Sequence, residues 1–101
     1  MTSTIRRRVV VHGRVQGVNF RYHARSAARR LGARGWVRNR SDGAVEAVVE
    51  GTPEAVQSLL LWFRKGSPFS RVDNIQITEE NPSGGFDDFE ITFDNWEFRR
   101  S

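Results

Sequence analysis

Apolar residues recur along this chain in two rhythms, one alternating and one helical, and the switches between them mark out the elements. Val9-Val10-Val11 centres a β-branched run, so Ile5 to His12 reads as a first strand behind a frayed Met1 to Thr4. Phe20, Ala24, Ala27, Ala28 and Leu31 then share one helical face. A helix is expected from Phe20 to Leu31, with Asn19 as N-cap and Gly32 just past its end. Its alanines allow close packing on a sheet.

The rhythm changes back at Gly35. Gly35 to Asn39 puts Trp36 and Arg38 on one face of a second strand and Val37 and Asn39 on the other. Arg40-Ser41-Asp42-Gly43 is a hairpin turn, because Asp-Gly tolerates positive φ. Ala44 to Glu50 follows as a third strand, in which Val45, Ala47 and Val49 alternate with Glu46, Val48 and Glu50. Thr52, Pro53 and Glu54 form a helix start, and Val56, Leu59, Leu60 and Phe63 form its apolar stripe. Arg64 and Lys65 suit the negative end of that helix, which Gly66 closes. Beyond the loop Ser67 to Ser70, a fourth strand is expected from Val72 to Thr78. A polar loop, Glu79 to Gly85, leads to a fifth from Phe86 to Phe93. Trp96 and Phe98, in the tail Asp94 to Ser101, could continue its alternation or cap a sheet edge.

The order is βαββαβ with one further strand. Burying both helical stripes on one sheet face gives an α+β, ferredoxin-like sandwich. The expectation is one domain over residues 1–101, with its core at about 5–93, an antiparallel sheet of four to five strands and two helices on one face. Many functions share this fold, so it names none.

Composition narrows the classes. No apolar run is long enough to span a bilayer, and no secretory signal precedes the first strand. The absence of cysteine excludes disulfides and thiolate chemistry and fits a cytoplasmic protein. Charge is informative by position. Residues 1–41 hold eleven arginines and no acid, whereas the rest holds five bases and all twelve acids. A basic first half suits an anionic partner, either nucleic acid or a small phosphorylated substrate. Alternatively, the two halves interleave in the fold and the surface is mixed.

Candidate chemistry concentrates in Gly13 to Arg21, between the first strand and the first helix. Such a turn aims the helix's free N–H groups and positive dipole end at its occupant, which favours an anion. Gly13 and Gly17 let the backbone come close, and Arg14 and Arg21 add charge. A tight turn with surface arginines would read the same way. His12 ends the strand before the turn. His23 lies about 160° around the helix from Arg21 and would not converge with it. Asp87-Asp88 reads as a solvated pair, and no metal site is expected there or elsewhere. Asn39 is unusual in a strand. It either begins the hairpin turn or offers its amide to a water or a substrate oxygen.

Gly13-Arg14-Val15-Gln16-Gly17-Val18-Asn19-Phe20-Arg21 resembles the signature of the acylphosphatases. Gly35-Trp36-Val37-Arg38-Asn39, with Asp42-Gly43 and Val45-Glu46 after it, is similar to their second motif. Leu31-Gly32, Gly66-Ser67-Pro68 and Arg71-Val72 add to a likeness that covers about residues 5–93. The resemblance implies a monomeric enzyme that hydrolyses acyl phosphates to a carboxylate and inorganic phosphate, without metal or organic cofactor. It implies that backbone N–H groups from Arg14 through Val15, Gln16, Gly17 and Val18 to Asn19 surround the phosphate. Arg21 would hold the phosphate with its guanidinium, and Asn39 would orient the attacking water. Residues 94–101 depart from the family pattern. The competing reading is a ferredoxin-like nucleic-acid-binding or regulatory module without catalysis. Against it, Val9 to Val11 and Ala44 to Glu50 carry no aromatic on which a base could stack.

Overall fold

The computed structural model describes residues 3–93; the expectations for the tail fall outside them. The elements are β1 (Ile5–Arg14), α1 (Phe20–Leu31), β2 (Arg34–Asn39), β3 (Val45–Gly51), α2 (Pro53–Lys65), β4 (Arg71–Glu80) and β5 (Phe89–Ile91). They form one five-stranded sheet in the order β4-β1-β3-β2-β5. The ferredoxin-like α+β class read from the sequence is the class observed.

Val9 and Val11 of β1, Val45, Ala47 and Val49 of β3, Val37 of β2 and Phe89 of β5 all bury toward the helices. There they meet Phe20, Ala24, Ala27 and Ala28 of α1 and Val56, Leu59 and Phe63 of α2. The alternation in the strands and the 3.6-residue stripe in the helices meet in one core. Phe20 and Phe63 stack at 6.0 Å between centroids and join the two helices. Thr52 caps α2 as expected, its Oγ1 accepting from the Ala55 N–H at 3.1 Å.

Three of the four strand pairings are antiparallel, as expected, and the fourth is not: β5 runs parallel to β2. The chain leaves β4 at one edge of the sheet and crosses to the opposite edge through residues 81–88. A strand entered from such a crossing runs back against β4, and that direction is the direction of β2. The expected Phe86–Phe93 strand is also cut to Phe89–Ile91. Asp88 turns its carboxylate onto the Phe89 N–H at 2.7 Å and marks where pairing starts.

The face of the sheet away from the helices is buried by charge. Glu46 of β3 accepts from Arg38 of β2 and from Arg8 of β1. Glu80 of β4 accepts from Arg8 at 2.7 Å and Arg6 at 2.8 Å. Glu50, fully buried, accepts from the N–H groups of Ser83 and Gly84, both at 2.9 Å, and so pins the crossing loop. No helix among the described residues is long and apolar enough to cross a membrane.

Candidate active site

A bulge between His12 and Gly13 shifts the β1–β4 register just before β1 ends at Arg14. Gly13 has φ 135°, and a Cβ there would sit 2.1 Å from the Arg71 carbonyl oxygen. The two strands can come this close at the bulge only over a residue without a side chain. Gly17 takes φ 77° and Asn19 φ 62°, both left-handed. These two reversals curl residues 15–19 around the start of α1.

Asn19 stands at the N-cap position, but its side chain makes no capping hydrogen bond. The first helical bond runs from the His23 N–H to the Asn19 carbonyl, at 3.1 Å. The donors of the first turn are therefore not taken up by a side-chain cap. Among the described residues, the backbone N–H groups of Gly17, Val18 and Asn19 also make no hydrogen bond.

A cleft of about 160 Å³ opens at this point, lined by Val15, Gly17, Asn19, Phe20, Arg21, Tyr22 and Asn39. Arg21 and Asn39, far apart in sequence, share it. The sheet order explains this: β2 lies beneath α1, and Asn39 follows Val37 on the helix-facing side at the strand's end. The Oδ1 of Asn39 is buried and has no hydrogen-bond partner. A buried acceptor left unpaired is uncommon and points to an occupant that donates. Arg21 has no ion-pair partner among the described residues, nor has Arg14.

Five of the expected residues thus converge: Val15, Gly17, Asn19, Arg21 and Asn39. Arg14, Gln16 and Val18 do not line the cleft. Arg14 is exposed at the end of β1, and Gln16 turns its amide to the β2–β3 hairpin. Phe20 and Tyr22 line the cleft as well and were not singled out in the sequence. Tyr22 has an exposed ring (57%), and its adjacency to Arg21 was the signal available in the sequence. His23 is exposed and lies outside the cleft. Asp88 of the acidic pair is engaged by Arg29 at 2.7 Å, which holds its carboxyl below the usual carboxylate range.

The lopsided charge of the sequence is largely resolved by pairing. Arg6, Arg8, Arg29 and Arg38, all from the basic half, pair with Glu80, Glu46 and Asp88 from the acidic half. The halves do interleave in part, and Arg21 in the cleft is among the arginines that make no ion pair among the described residues. The pairing of those cations reduces the basic surface on which a nucleic-acid reading would rest.

Fold and cleft together define a class: a ferredoxin-like α+β domain with a glycine-lined strand-to-helix turn and, in its cleft, an arginine without an ion pair among the described residues. The comparisons make it specific. The acylphosphatase family model matches residues 7–91. The chain is 50% identical over 93 residues to an acylphosphatase of Anaeromyxobacter dehalogenans (strain 2CP-C), across 92% of this chain and 100% of that one. The crystal structure of acylphosphatase from Bacillus subtilis superimposes with a TM-score of 0.83 at 43% identity, covering 87% of this chain and 98% of that one. The acylphosphatase structure from Coxiella burnetii gives a TM-score of 0.84 at 35% identity, covering 88% and 93%. This chain belongs to the acylphosphatase family, and with membership comes the class of enzyme, a hydrolase.

Proposed function

We propose that the cleft hydrolyses a small-molecule acyl phosphate, with Arg21 and the turn's N–H groups holding the phosphate and Asn39 holding the water. The observation that carries this reading is the unpaired, buried Oδ1 of Asn39 in the cleft that Arg21 also lines. A water donating one hydrogen to that oxygen is held with a lone pair free to attack phosphorus.

The chemistry asks for little else. The water oxygen bonds to phosphorus as the bond from phosphorus to the acyl oxygen breaks. The carboxylate leaves with that electron pair, and being a good leaving group it needs no acid. The water's proton passes to a phosphate oxygen. Positioning and charge stabilisation carry most of such a transfer. Arg21's planar guanidinium and the Gly17, Val18 and Asn19 N–H groups suit the equatorial oxygens as charge moves onto them. The residues lining the cleft include no carboxylate and no histidine, and this route uses none. The same reading takes the protein as cytoplasmic and monomeric, without metal, organic cofactor, specific nucleic acid or membrane partner.

The test is hydrolysis of a generic acyl phosphate with chelator present, by wild type, Arg21→Ala and Asn39→Ala. Turnover by wild type that is lost in both variants supports the reading. No turnover by a folded wild type would overturn it, and an RNA titration across salt would then test the binding-module alternative.

A further inference from the structure

Gln16 was grouped with the phosphate-holding turn, yet its side chain faces the other way. Its Nε2 donates to the Arg40 carbonyl at 2.8 Å and to the Ala44 carbonyl at 2.9 Å. Those two carbonyls close the turn of the β2–β3 hairpin. The Ala44 oxygen also accepts from the Arg40 N–H at 2.8 Å, and the Arg40 oxygen from the Gly43 N–H at 3.2 Å. Among the described residues, Gln16 is the donor that reaches this turn from outside it. Asn39 is one peptide bond before Arg40.

We infer that Gln16 is a positioning residue for the hydrolysis: its side-chain amide ties the turn that receives the phosphate to the hairpin that carries Asn39. The inference rests on the roles proposed above for Arg21 and Asn39. Those roles require two segments, distant in sequence, to hold a phosphorus and a water at a fixed separation. Backbone pairing supplies that link only indirectly, from Asn39 through Val45 to Val11, which lies before the turn on β1. Residues 15–19 lie outside the sheet, and the hairpin turn lies beyond the last β2–β3 pair, Asn39 with Val45.

A primary amide has the right inventory for the link. One nitrogen presents two hydrogens to two carbonyls, and it adds no charge beside a phosphate. Glutamate would offer only acceptors to two acceptors. Asparagine is one methylene short. Threonine or serine has a single hydrogen.

The test is a double-mutant cycle on kcat, with Gln16→Met (similar length, no donor), Asn39→Ala and the pair combined. The inhibition constant of inorganic phosphate and the melting temperature are read alongside. A small misplacement of reacting groups commonly costs about 10- to 100-fold in rate, and that fall in kcat is expected for Gln16→Met. Phosphate inhibition should stay within about threefold, since Arg21 and the turn's donors remain. Residues acting through one another are non-additive. Adding Gln16→Met to Asn39→Ala should therefore lower kcat by less than about twofold further.

Two falls that multiply would overturn the inference, as would a loss of phosphate affinity as large as that of Arg21→Ala. If Gln16→Met fails to fold, the cycle is run with Gln16→Ala and read by the same outcomes. A wild type that does not hydrolyse acyl phosphates would sink the proposed function itself. A working wild type with a multiplicative cycle would sink only the role of Gln16.

Discussion

Arg38 of β2 and Glu46 of β3 are register partners across the hairpin, with Arg38 Nε 3.0 Å from Glu46 Oε1, and both are buried on the sheet face that no helix covers. Glu46 also takes Arg8, so one carboxylate serves two guanidinium groups. Removing one partner of a buried pair is strongly destabilising, although Arg8 keeps its bond to Glu80. Glu46→Ala should lower the unfolding free energy by about 3–5 kcal/mol. Urea unfolding measures it, and a loss under about 1 kcal/mol would mean that water and the arginines' remaining contacts, Glu80 for Arg8 among them, compensate the charge.

Glu80 works on the same face with the sign of its pH dependence fixed. The hydrogen bond from Arg8, and then that from Arg6, lower its pKa against an opposing desolvation. A carboxylate whose folded pKa is depressed contributes stability above the unfolded value, about 4.3, and loses it as pH falls through the folded value. Wild type should therefore lose stability below about pH 4.3 more steeply than Glu80→Gln. Parallel melting curves from pH 6 to pH 2.5 would show it, and curves of equal slope would remove Glu80 from the acid response.

Asn39→Ala should separate activity from stability. It removes a buried acceptor that has no partner, so the variant should melt no lower than wild type by more than a degree or two. Its kcat should fall by about 10²-fold or more, with KM little changed, if the amide acts on the water. A variant that melts much lower would show that Asn39 is chiefly structural.

Gly13 and Gly17 should fail differently when changed to alanine. At Gly17 nothing lies within 4 Å of a new Cβ, and only the left-handed φ is strained, by about 1–2 kcal/mol. The outcome expected is weaker phosphate inhibition with a modest drop in melting temperature. At Gly13 the new Cβ meets the Arg71 carbonyl at 2.1 Å, so the β1–β4 pairing must shift. Gly13→Ala should be the more destabilising of the two in chemical denaturation, and the reverse order would contradict the close approach.

Much of this architecture was legible because local rules and the tertiary outcome agree. The valine run, the alanine-spaced helix, the Asp-Gly turn and the Thr52-Pro53 start each gave an element within a few residues of its observed bounds. The glycine-lined turn at Gly13 to Arg21 was legible for the same reason, since glycines at a strand-to-helix junction are a local feature. Asn39 was singled out through its oddity in a strand, though its two readings were separable only in the fold. Asn19 was misleading: its side chain does not cap, because a left-handed φ turns it away from the usual capping conformation.

The sequence by itself determined the order of elements, the faces they bury and the presence of a glycine-lined turn beside Arg21. These follow from periodicity and from backbone preferences that act within a few residues. Only the tertiary structure decided the parallel pairing of β5, the partners of the arginines and the turning of Gln16 toward the hairpin. Each depends on which segments the sheet order β4-β1-β3-β2-β5 brings side by side. Contacts of that kind, as between Arg6 and Glu80 or Arg29 and Asp88, leave no periodic trace along the chain. An arginine reads the same in sequence whether a carboxylate neutralises it, as at Arg8, or a cleft leaves it free for a ligand, as at Arg21.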